Sequence, residues 1–170
     1  MSALRQYKTL AKVKSLREQK ALEALQKARR AELEGEQKVE RLTRELAESA
    51  ATLPDRIDAL YRAVIGKTID LQEIDLVKHR AKQLEADHQK IGDRKARAEH
   101  ALVALRKQTQ EASEAYREAQ MDREKYDGLL DDLKREILVA ATTKEEAEVE
   151  DLFARPRNRI AGEESRDGRH

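Results

Sequence analysis

Hydrophobic positions recur through the second half of the chain at alternating steps of three and four residues. From Ile74 they fall on Val77, Ala81, Leu84, His88, Ile91, Lys95, Ala98, Leu102, Leu105, Thr109, Ala112, Tyr116, Ala119, Arg123, Tyr126, Leu130, Leu133, Ile137 and Ala140. Sixteen of these twenty positions are apolar or Tyr, and one register holds throughout. The exceptions are His88, Lys95, Thr109 and Arg123. A 3.5-residue repeat sustained this far predicts a coiled-coil helix over about 71–152. At 1.5 Å per residue that helix would be roughly 120 Å long, more than a globular domain of this mass accommodates.

The first half predicts a helix over about 3–50 with a less regular seam. Val39, Leu42, Leu46 and Ser49 keep a heptad, and Ala21, Leu25 and Ala28 share its frame. Glu32 and Gly35 weaken it. Leu4 and Tyr7 fit the frame, whereas Leu10, Val13 and Leu16 lie off it, which predicts a stutter or local unwinding. Two long helices joined by a short break fold most simply into an antiparallel hairpin. The competing architecture is one kinked, continuous helix that pairs between chains.

The break itself is legible. Thr52-Leu53-Pro54-Asp55 reads as a helix restart, with Pro in a first turn and Asp near the positive helix end. A short helix, DRIDALYRAVI, would follow, and Gly66 offers a left-handed C-cap. Asp70 with Glu73 three residues on resembles a capping box for the second helix. The tip is therefore expected over about 52–70. Its apolar residues, Leu60, Tyr61, Val64, Ile65 and Ile69, admit two readings: they close the end of the coiled coil, or they form a docking surface.

Composition supports helices and removes most other classes. In a chain of 170 residues, 41% are charged and 3% aromatic, with no Trp, so the bulk for a two-layer core is missing. Ala, Leu, Glu, Lys and Arg dominate, as in a coiled coil. The net charge of +1 makes no case for nucleic acid, and the lack of Cys removes disulfide and thiolate chemistry. The first twenty residues hold no apolar signal region, and no apolar run approaches a membrane span. A cytoplasmic location is the default expectation.

Charge is uneven along the chain. Residues 1–30 carry nine basic and two acidic residues, a net of +7, and residues 145–151, EEAEVED, carry five acids and no base. Both placements oppose the helix dipoles. In a hairpin these ends converge, so they either neutralise one another or form a charged end for another protein.

No catalytic or cofactor chemistry is visible. His79, His88, His100 and His170 lack metal-ligand spacing, and IGKT at 65–68 lacks the upstream glycine of a phosphate loop. His88 falls on the seam, where a polar residue sets register. Beyond residue 152 the chain turns polar, which predicts a disordered tail over 153–170. The expected fold is all-α: a long antiparallel two-helix coiled-coil hairpin over 1–152 with a short helical tip and a flexible tail.

The tip LPDRIDALYRAVIGKTIDLQEIDLVKHR, the late acidic segment TKEEAEVEDLFARPR, the size and the two unequal helices resemble the small coiled-coil stalk proteins of type III secretion systems. These are the YscO or SctO type, relatives of the flagellar export protein FliJ, and the resemblance covers residues 1 to about 152. It implies a two-helix hairpin similar to the coiled coil of the F-type ATPase gamma subunit, non-enzymatic and without cofactor or metal. Such proteins link the cytoplasmic export ATPase hexamer to the cytoplasmic domain of the export-gate membrane protein and stimulate the ATPase. The implied location is cytoplasmic, peripheral to the inner-membrane apparatus, with no direct membrane insertion. Tyr61, Val64, Ile65, Gly66 and Lys67 would face the gate. Arg5, Lys8, Lys12, Leu133, Ile137 and Leu138 would face the ATPase. Secretion chaperones are further candidate partners, and the chain is expected to be a monomer alone.

Two other functions compete with this one. A tRNA-binding helical arm would use the basic N-terminal stripe, but the second helix has no matching basic face. A secretion chaperone or prefoldin-like client binder would use an exposed apolar tip. Chain length adds a last expectation. With the turn near residue 66, residue i should face about residue 133 − i, and Leu4 should face roughly residue 129. The seam continues past that point through Leu133, Ile137 and Ala140, with Leu138, Val139, Val149 and Leu152 nearby. Residues 133–153 are therefore expected to enter the central opening of the ATPase hexamer.

Overall fold

The computed structural model describes residues 2–154. They form two helices, α1 (Ser2–Arg62) and α2 (Leu71–Ala154). The chain divides into two units: Met1–Lys12 with Glu124–His170, and Val13–Arg123.

The larger unit is an antiparallel helical hairpin. Ser49 Oγ lies 2.9 Å from His88 Nδ1, Arg94 Nη2 donates to Glu45 Oε1 at 3.0 Å, and Lys14 Nζ donates to Asp122 Oδ2 at 2.7 Å. Residue i thus faces about residue 138 − i, some five positions beyond the expected register. The reason lies in the reversal. Residues 63–66 keep winding as turns past the end of α1, Lys67 is a bend, and the crossing is completed by the irregular residues 68–70.

Every seam position of α2 from Val77 to Leu133 is buried or half-buried, and Val77, Ala81, Ala98 and Leu102 are the most buried. On α1 the seam also keeps one heptad frame, through Leu4, Tyr7, Ala11, Lys14, Glu18, Ala21, Leu25 and on to Leu53. The expected stutter does not occur. Leu10, Val13 and Leu16 are exposed, and Lys14 and Glu18 take the inward positions. Opposite charges across the seam make this tolerable: Lys14 meets Asp122, and Glu18 Oε2 lies 2.8 Å from Arg123 Nε. Gly35 stands where the helices come close, since a Cβ there would meet Leu105 Cδ1 at 2.8 Å.

The expected restart at Thr52–Asp55 is corrected: α1 runs unbroken through Pro54 to Arg62. Proline removes one backbone donor, which leaves the Ala50 carbonyl without its helical partner. Ala50 is exposed, so water can serve that oxygen. Leu53 and Ile57, half-buried on either side of Pro54, hold the helix to its partner across the defect. The reversal is thus 63–70 rather than 52–70.

The capping box at Asp70 is formed as expected, and Gly66 is left-handed as expected but lies four residues past the end of α1. Gly66 adopts φ +78°, the left-handed conformation that favours glycine. Tyr61 O accepts from the amides of Val64 and Ile65, each at 3.1 Å, which tightens the last turn of α1. Glu73 N donates to Asp70 Oδ1 at 2.8 Å, and Asp70 N donates to Glu73 Oε2 at 3.2 Å. This is a reciprocal capping box with Asp in the cap position. Ile69 and Ile74 flank it at the positions of a hydrophobic staple. The expected tail lies outside the described residues except for Phe153 and Ala154, which close α2.

Candidate interaction surfaces

Two surfaces carry the residues singled out from the sequence, one in each unit. The first is the reversal. Its apolar residues divide by depth. Leu60, Val64 and Ile69 are half-buried, and Tyr61 and Ile65 point outward, Ile65 with 72% of its surface exposed. The first three pack toward the end of the coiled coil, and Tyr61 and Ile65 are left exposed. Gly66 and Lys67 are exposed as well. Val64, placed among the gate-facing residues, sits with the closing set.

Sequence reasoning missed Leu71 and Leu76, which are exposed just past the reversal and extend its apolar surface. A signal for them existed. Both lie outside the frame of Ile74 and Val77, so an inward role was never available to them.

The second surface belongs to the unit built from both helix ends. Arg5, Lys8 and Lys12 are exposed there. Leu133 is half-buried and belongs to the packed seam, because the register is longer than expected. Ile137 and Leu138 are exposed, at 44% and 65%. From Lys134 to Ala154 every residue of α2 is exposed, including Val139, Val149, Leu152 and Phe153. The acids of 145–151 lie in this run, and the last turn of α2 holds no basic residue.

Among the described residues no group of three or more His, Cys, Asp or Glu side chains is placed to hold a metal ion, and no helix is long and apolar enough to cross a membrane. What both surfaces offer is apolar area beside charge, suited to binding proteins.

No curated protein and no solved structure matches the chain. One family model does, that of type III secretion protein YscO, over residues 7–155. The match spans both helices, the reversal and the exposed run, and on that ground the chain belongs to the YscO family of type III secretion proteins.

Proposed function

We propose that the protein is a non-enzymatic stalk of a type III secretion apparatus, working in the cytoplasm at the inner membrane. The unit formed by the helix ends contacts the hexameric export ATPase and stimulates it. The reversal, through Tyr61 and Ile65, docks on the cytoplasmic domain of the export gate. The observation that carries this reading is the exposed run 134–154, whose large apolar side chains have no cover among the described residues. Burying each large one in a partner is worth on the order of 1.5–3 kcal/mol, which makes a binding role the economical account of their placement. Family membership supplies the apparatus in which such a partner is found.

The test is binding and turnover with the purified cognate export ATPase. The full-length protein should form a complex with it and raise its rate of ATP hydrolysis. A protein that neither binds nor stimulates is not the stalk. The exposed tip apolars Tyr61, Ile65, Leu71 and Leu76 also suit a second reading, a chaperone that holds unfolded export clients. Client binding without any ATPase contact would favour that reading.

A further inference from the structure

The exposed run of α2 does not simply continue the seam. Carried beyond Ile137, the heptad frame meets Ala140, Lys144, Ala147 and Asp151, which are small or charged. The large apolar side chains lie elsewhere. A helix advances about 100° per residue, so Leu138 and Val149, eleven residues apart, share a line after roughly three turns. Leu152 and Phe153 flank that line on either side. Leu138, Val149, Leu152 and Phe153 are all well exposed. This stripe is turned well over a quarter of the way around α2 from the side on which α1 packs.

Charge on the stripe is ordered as well. Glu145 sits on the line itself, between Leu138 and Val149, and lines a shallow concavity with Thr142, Glu146 and Val149. Glu146 and Glu148 fall one on each side. Glu150 and Asp151 lie near the carboxyl end of α2, where the helix dipole disfavours acids, so they are not there to stabilise the helix.

We infer that α2 binds its partner sideways, through the stripe Leu138–Glu145–Val149–Leu152, in a groove with an apolar floor, a basic rim and one cationic side chain opposite Glu145. This rests on the reading of the export ATPase as the partner of this end. An apolar line split by one acid and bordered by others fits such a groove and repels a second copy of itself. The seam-side residues Ala140 and Ala147 are outside the contact.

The experiment is a titration of full-length variants against the purified cognate export ATPase at low and moderate salt. All substitutions are at exposed positions and use a good helix former, and circular dichroism checks that helix content is kept. Leu138→Gln with Val149→Gln and Leu152→Gln should weaken binding at least tenfold. Ala140→Gln with Ala147→Gln should leave it within about twofold. Glu145→Lys should weaken binding at least tenfold, and Glu145→Gln should flatten the salt dependence. Equal loss from the seam-side set, or wild-type affinity in the stripe set, would overturn the inference while leaving the ATPase reading intact. Failure of the wild-type protein to bind the ATPase would overturn that reading and this inference together. Self-association of the wild type that the stripe set abolishes, with ATPase binding unchanged, would assign the stripe to a second copy and also overturn it.

Discussion

Glu18 and Arg123 face each other across the two helices at seam positions, with Oε2 and Nε 2.8 Å apart. The glutamate side chain keeps 14% of its surface in water and the arginine 37%, so the pair is neither buried nor free. Its effect on stability depends on what replaces it. Removing Arg123 alone, as Arg123→Leu, leaves a desolvated carboxylate and should destabilise the protein by about 1 kcal/mol. Replacing both, as Glu18→Leu with Arg123→Leu, puts two leucines into the heptad and should raise the melting temperature by several degrees. Thermal unfolding of the two variants decides the matter. A single variant as stable as the double would mean that the charges are not coupled.

Lys95 is the other basic seam residue of α2, and it behaves differently. Its ammonium reaches along its own helix to Glu99 at 3.6 Å, a partly exposed i, i+4 pair that contributes little. Among the described residues its ion pair lies within α2 and not across the seam. Lys95→Leu alone should therefore stabilise the hairpin by about 1–2 kcal/mol through added apolar burial. A lower melting temperature would show that the lysine stem already fills this layer.

Three helical glycines should respond unequally to alanine. At Gly128 nothing lies within 4 Å of an added Cβ, so Gly128→Ala should gain about 1 kcal/mol from helix propensity. Gly92 has only ordinary contact with Leu46 Cδ1 at 4.0 Å and should follow Gly128. At Gly35 the new methyl meets Leu105 Cδ1 at 2.8 Å and Leu102 Cδ1 at 3.3 Å, so those leucines must turn aside. Gly35→Ala should gain less than half as much, and Gly35→Val should lose stability. Denaturant midpoints for the four variants would test the order.

At the reversal, depth separates binding from folding. Tyr61→Asp with Ile65→Asp should abolish binding to the gate's cytoplasmic domain and leave the melting temperature within a few degrees of wild type. Leu60→Asp with Val64→Asp should instead destabilise the hairpin by a few kcal/mol and lower its melting temperature markedly, since half-buried side chains would carry charge. Calorimetry and gate pull-downs on both pairs should give opposite patterns. A large fall in stability from the first pair would assign Tyr61 and Ile65 to closure of the hairpin.

The seam of α2 was readable because its exceptions kept their spacing. His88, Thr109 and Arg123 lie on the frame and are half-buried, as the repeat required. The start of α1 misled for the opposite reason. Leu10, Val13 and Leu16 look like core, but inward places belong to Ala11, Lys14 and Glu18. Their partners Asp122 and Arg123 are about a hundred residues away in sequence, so no local pattern announces them. Pro54 looked like a boundary because its cost is local, about 3 kcal/mol, while the packing of Leu53 and Ile57 that offsets it is not. The cap chemistry of Gly66, Asp70 and Glu73 was legible because each partner lies within a few residues. The division of the tip into Leu60, Val64 and Ile69 against Tyr61 and Ile65 was hidden, since it follows from the longer register.

The reversal at 63–70 also dictates an order of assembly for the hairpin in Val13–Arg123. In this register Leu60 finds α2 across a loop of under twenty residues, whereas Lys14 finds Asp122 only across 108. Closing the long loop first would cost more chain entropy, and each layer formed nearer the turn shortens the loop left to close. Gly66 and the Asp70–Glu73 box bias the chain to reverse at one place before any distant layer has formed. The hairpin should therefore close like a zipper, from the turn outward, through nearest-neighbour steps. A destabilised cap would slow folding, and a destabilised Glu18–Arg123 layer would chiefly speed unfolding.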